Sequence, residues 1–182
     1  MRLEIKKGKK MEPEILGEID RIYRENFKVT YTEMLKNRKD YFDDYFFVLC
    51  DNEKIISTGR LRPVKIKFME DSFHIFGISD IVSVIKGKGY GKKIMKNILK
   101  YLDNKKEIGI GFCKRNNSEF YRKCGFSIAD DLSDRFIFKD KLGNLVTDEW
   151  DDDVIYNDLG ESLIRKIKQN QKEKVWIPIK HW

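Results

Sequence analysis

Histidine and cysteine are scarce in this chain of 182 residues, and each shortage removes a class of chemistry. With only His74 and His181, a histidine-rich metal site is excluded. The cysteines Cys50, Cys113 and Cys124 are odd in number and form no C-x-x-C pair. They fit reduced thiols better than a disulfide framework or a zinc site, which points to a cytoplasmic setting. No apolar run approaches the length that spans a bilayer, and Met1 to Lys10 lacks the apolar core of a signal segment. No internal repeat is evident either.

What is present suits one domain over 1–182. Hydrophobic residues make up 41% and aromatics 13%, enough for a real core. Charged residues make up 37%, so the surface is strongly solvated. The net charge of +7 favours anionic partners, whether cofactor phosphates, nucleic acid or acidic surfaces.

The chain is organised around Ile78 to Leu102. Ile78, Ile81, Val82, Val84 and Ile85 crowd β-branched residues into a buried strand. Gly87, Gly89 and Gly91 then form a turn. From Ile94 the apolar period becomes helical through Ile98 and Leu102, with lysines on the other face. A glycine turn entering a helix presents unpaired N–H groups and the positive end of the helix dipole, which suit a phosphate. No Lys-Ser/Thr follows, so it is not the mononucleotide P-loop, and the spacing also fails the dinucleotide pattern G-x-G-x-x-G.

Elsewhere the periods predict a basic edge strand over 1–10 and a helix over 13–26 opened by Pro13. A short helix capped by Thr30 or Thr32 should follow, to about Asn37. Tyr41, Phe42, Tyr45, Phe46 and Phe47 read as core or cleft lining. A meander of strands runs from Tyr45 to Ile85, with separate strands at Ile55–Leu61 and Val64–Phe68. His74 reads as a structural strand histidine. Ile108–Cys113 is a strand whose glycines, Gly109 and Gly111, mark a close approach by ligand or backbone. Asn117 or Ser118 caps a short helix that Gly125 ends. A strand at 135–139, an amphipathic helix around Leu163 and Ile167, and a final edge strand at 175–179 complete the pattern. The acidic run 148–153 reads as a solvated loop by composition alone.

Two of these stretches carry a resemblance. Lys86-Gly-Lys-Gly-Tyr-Gly91 resembles the Gln/Arg-x-x-Gly-x-Gly/Ala signature of the GNAT N-acetyltransferases, with Lys in the first position and a shorter link from the strand. Phe120 to Phe126, F-Y-x-K-x-G-F, resembles the same family's second motif, in the expected order and at the expected distance. The resemblance implies an α/β (α+β) fold whose mixed, mostly antiparallel sheet is flanked by helices. Two splayed central parallel strands, here 78–85 and 108–113, would hold acetyl-CoA (coenzyme A), with helix 91–102 as the crossover.

The same resemblance assigns roles. Backbone groups at Val82 and Val84 would meet the pantetheine amides. The N–H groups of Gly87, Lys88, Gly89, Tyr90, Gly91 and Lys92 would hold the pyrophosphate, with Lys86 adding charge. Asn116 or Asn117 would bond the pantetheine arm, and Tyr121 would be the general acid. Asp80 is the candidate base, through water, or the holder of a cationic amine; an acidic side chain capping or bridging at the sheet surface is the equal alternative. The acceptor would be a primary amine, favoured as a small cationic one by the acidic run. That run and the terminal Trp182 are faintly similar to the aminoglycoside 2′-N-acetyltransferases. Protein N-terminal or lysine acetylation is the rival enzyme reading, and a basic nucleic-acid-binding module the non-enzyme one. The lysines gather at one turn instead of interleaving with aromatics, which disfavours nucleic acid. The partners implied are therefore a small-molecule amine and no membrane, and a homodimer is compatible with the chain.

Overall fold

The computed structural model describes residues 1–27, 34, 36–140, 142–147 and 152–179. The chain divides into two compact units, 1–62 with 79–98, and 63–78 with 99–182. Among the described residues, no helix is long and apolar enough to cross a membrane.

In the first unit β1 (Arg2–Lys7) pairs antiparallel with β2 (Tyr45–Asp51), and β2 with the first part of β3 (Lys54–Phe68). Helix α1 (Pro13–Phe27) begins at the predicted proline. Its stripe Leu16, Ile19, Ile22 and Tyr23 packs with Met34, Phe46, Val48, Ile55 and Val82. Each such side chain, fully buried, contributes roughly 1.5–3 kcal/mol, and that burial, more than helix propensity, holds α1 in place. The aromatic run divides as its spacing implies: Phe46 and Phe47 are buried and Phe42 is exposed. The end of β4 (Asp71–Ser83) is tied to β3 just beyond the strand, where the Val84 N–H donates to the Ile56 carbonyl at 3.0 Å. The glycine turn then feeds α2 (Tyr90–Lys105), whose Ile94, Met95 and Ile98 are buried. The short helix expected from Thr30 or Thr32 falls largely outside the described residues; a single 3-10 turn, Arg38–Tyr41, follows it.

The second unit holds β5 (Gly109–Cys113), α3 (Ser118–Arg122), β6 (Ser127–Ala129), β7 (Phe136–Lys139), β8 (Leu145–Val146), β9 (Asp153–Tyr156), α4 (Glu161–Gln169) and β10 (Val175–Trp176). The strand order is β6-β9-β5-β4-β3-β10-β7-β8. β4 and β5 are parallel, from Phe76↔Gly109 to Ile78↔Gly111, and β4 continues to Ser83 beyond the last of these pairs. This is the parallel pair the sequence predicts, in a mixed, mostly antiparallel sheet with helices. Gly111 allows the approach of the two strands: a Cβ there would lie 2.8 Å from the Ile78 carbonyl oxygen and 2.9 Å from Ile155. The close neighbour at this glycine is backbone.

Three elements differ from the sequence reading. Ile55–Leu61 and Val64–Phe68 are one strand, β3, continuous through Pro63. The end of the acidic run is a buried strand, β9, paired with both β5 and β6. The last strand, β10, lies inside the sheet between β3 and β7 and not at an edge, because Val175 and Ile177 are fully buried in the core of this unit.

Candidate active site

The turn between β4 and α2 owes its shape to glycine. Gly87 and Gly89 have φ of +73° and +74°, the left-handed region that side chains disfavour. A Cβ built on either would meet nothing within 4 Å, so the backbone here faces open space. Residues 84–89 are exposed. No acidic residue stands in the first turn of α2. The helix's first N–H groups, its dipole and exposed Lys88, Lys92 and Lys93 therefore favour an anion. Lys86 is exposed, with its Nζ 3.4 Å from Asn26 Oδ1 at the end of α1.

Upstream of the turn, the two valines predicted to meet pantetheine differ. Val82 is buried and its carbonyl accepts the Ser57 hydroxyl at 2.7 Å. The Val84 side chain is 47% exposed, and its N–H is given to Ile56. N–H groups alternate between the two edges of a strand, so the neighbouring Ser83 N–H points the other way.

Asp80 stands within β4 at a φ of +55°. Its Oδ2 accepts from Arg60 Nε at 2.6 Å and lies 2.5 Å from Nη2. Arg60 also donates to Asp44 Oδ2 at 2.5 Å, and Arg62 binds Asp44 through Nη2 at 2.9 Å. Both guanidiniums lie over the Tyr41 ring, 5.3 and 5.2 Å from its centre. Burial works against the Arg60 charge, but Asp80 and Asp44 outweigh it and hold the group above its ordinary range. The structure thus places Asp80 in a buried ion network and not at the sheet surface. Sequence reasoning missed Arg60 and Asp44. The signal was an arginine at the centre of an apolar strand, which needs a buried counter-charge.

In the second unit Asn116 and Asn117 are exposed in a 3-10 turn, Arg115–Asn117, that leads into α3. Tyr121 is half-buried on α3, its ring edge-to-face with Phe120 at 5.1 Å. Its carbonyl accepts from the Cys124 and Phe126 N–H groups, so F-Y-x-K-x-G-F closes into a compact turn. Gly125, at φ +100°, makes that turn possible. His74 is exposed on β4. Of the acidic run, residues 148–151 lie outside the described residues, as does Trp182. Of the two that are described, Asp153 is buried and bonds inward, while Asp152 is exposed and accepts the Arg115 N–H.

Residues 9–129 match the family model described as acetyltransferase (GNAT) domain. The chain belongs to the GNAT acetyltransferase family. Solved structures agree on the fold. A GNAT family N-acetyltransferase of Escherichia coli, YhbS, in complex with CoA, superposes with a TM-score of 0.60 at 15% identity, over 90% of this chain and 85% of that one. An N-acetyltransferase of Staphylococcus aureus Mu50 gives 0.57 at 18% identity, over 87% and 99%. Against a probable N-acyltransferase of Enterococcus faecalis V583 the TM-score is 0.53 at 20% identity; 71% of this chain matches, spanning 33% of that protein. No curated protein matches the chain. The family match is to GNAT as a whole and not to its aminoglycoside 2′-N-acetyltransferases. GNAT proteins are acyl-CoA-dependent N-acyltransferases, and acetyl-CoA is the cofactor. The left-handed glycines at an acid-free helix start fit its pyrophosphate.

Proposed function

We propose that the protein moves the acetyl group of acetyl-CoA to a primary amine, with the glycine turn as the pyrophosphate cradle and Tyr121 as general acid. The observation that carries this is the pair of left-handed glycines facing open space at the lysine-rich start of α2. N–H groups from Gly87 to Lys92 bind the anion, and Lys88 and Lys92 add point charges. Along β4, the alternation set by Val84 makes Ser83 the backbone donor on the far edge, next to the valines that the family pattern selects. Asn116 or Asn117 bonds the pantetheine arm.

Bound acetyl-CoA supplies an activated thioester. The chain's own task is to supply a proton to the departing sulfur, which falls to the Tyr121 hydroxyl, while the proton lost by the amine leaves to solvent. Water carries the second proton. Asp80 is paired with Arg60 and shares that network with Asp44.

For the acceptor we propose a small cationic amine. What supports it is the acidic run, but only in part: Asp152 and Asp153 are committed to internal bonds, which leaves Asp148, Glu149 and Asp151. The test is an acceptor panel of spermidine, an aminoglycoside and a lysine-containing peptide, followed by thiol release from acetyl-CoA. Turnover of the small amines, weakened when Asp148, Glu149 and Asp151 are neutralised, supports the reading. Turnover of the peptide alone overturns it.

A further inference from the structure

Asp153 stands in β9 with no exposed surface. Its Oδ2 accepts the Ser118 hydroxyl at 2.6 Å, and its Oδ1 accepts the Asp131 N–H at 3.0 Å. Ser118, 2% exposed, is the first residue of α3, and Tyr121 follows one turn later on the same helix. The preceding residue, Asp152, accepts the Arg115 N–H at 2.9 Å. Two adjacent carboxylates, Asp153 at the start of β9 and Asp152 just before it, thus hold both ends of the segment 115–118.

A buried carboxylate is costly unless hydrogen-bonded, and a short O–H···O⁻ contact is among the stronger neutral-to-charged bonds. It is also directional. Helix α3 has five residues and no side-chain cap from its own N-terminal flank. A helix that short cannot fix its own position. Its orientation, and with it the aim of the Tyr121 ring, must come from contacts outside it.

We propose that Asp153 is a positioning residue for Tyr121, acting through the Ser118 hydroxyl to fix the start of the helix that carries the acid. The inference rests on the reading of Tyr121 as the proton donor. A group that acts through Tyr121 has nothing to act on once the tyrosine hydroxyl is gone, so its effect vanishes in Tyr121→Phe.

The experiment is a double-mutant cycle on kcat, read by thiol release with the fastest acceptor of the panel. Asp153→Asn and Ser118→Ala are made alone and in Tyr121→Phe. Each single variant is expected to lose about tenfold in kcat, as a modest misplacement of a catalytic group does. Neither is expected to lose more in the Tyr121→Phe background, and Ser118→Thr, which keeps the hydroxyl, is expected to stay near wild type. If Asp153→Asn does not fold, Ser118→Ala and Ser118→Thr carry the cycle. Equal losses in both backgrounds, or no loss in either, overturn the positioning role while leaving Tyr121 as acid. Full activity of Tyr121→Phe overturns the acid and the positioning role together.

Discussion

Replacing Arg60 with methionine tests the ion network at its centre. The side chains of Asp44, Asp80 and Arg60 are 3%, 8% and 6% exposed. In Arg60→Met, Asp44 keeps Arg62, at 2.9 Å, but Asp80 loses its guanidinium. Removing one partner of a buried pair costs about 3–5 kcal/mol, because the other charge stays buried. Methionine fills much of the arginine stem's volume, so little of the loss comes from packing. The contact over Tyr41 adds about 0.5–1 kcal/mol. In guanidinium chloride a domain of this size has a slope of roughly 4 kcal/mol/M, so the unfolding midpoint should fall by about 1 M at unchanged slope. Adding Asp80→Asn removes the stranded charge and should recover more than half of the shift. A midpoint within about 0.2 M of wild type, or a double variant no better than the single, refutes this account of the network.

Four further outcomes are expected. Gly89→Glu puts an anion where the pyrophosphate would lie and should abolish acetyl-CoA binding in calorimetry; Gly143→Glu, also at positive φ in open space, is the control that should bind normally. Tyr121→Phe keeps the ring and should lower turnover roughly 10²–10⁴-fold with acetyl-CoA affinity retained, as steady-state kinetics and calorimetry would show. Gly111→Ala drives a Cβ against the Ile78 carbonyl and should cost about 1–3 kcal/mol in denaturant unfolding. Tyr156, pushed up to about 12 by burial and by its bond to Glu161, binds its proton more tightly folded than unfolded; that stability is whole below pH 10.0 and lost as pH rises towards 12, and midpoints measured across this window should flatten in Tyr156→Phe.

Helices α1 and α2 were legible because their apolar residues recur at helical spacing over several turns and their starts carry a proline or a glycine turn. The segment around Tyr121 was legible because its signature is local. The Arg60 network was not: its partners stand 16 and 20 residues away, and no local pattern pairs them. The same holds for Asp153. Its charge made it look solvated, and only distant partners, the Ser118 hydroxyl 35 residues earlier and the Asp131 N–H 22 residues earlier, show why a carboxylate can be buried there. Ile55–Leu61 and Val64–Phe68 read as separate strands, yet β3 runs through Pro63 between them. The place of β10 inside the sheet depended on long-range pairing that two residues cannot announce.

The three thiols have a practical consequence. Cys113 and Cys124 are buried, and Cys50 is partly so. Burial, helped by Glu4, raises the Cys50 thiol above its ordinary range, which lowers its reactive thiolate fraction at neutral pH. A disulfide dye added to the native protein should therefore colour slowly from the protein and promptly from released coenzyme A. The enzyme brings a low background to the very assay by which its acceptor would be found. A late rise in that background would report the opening of the fold.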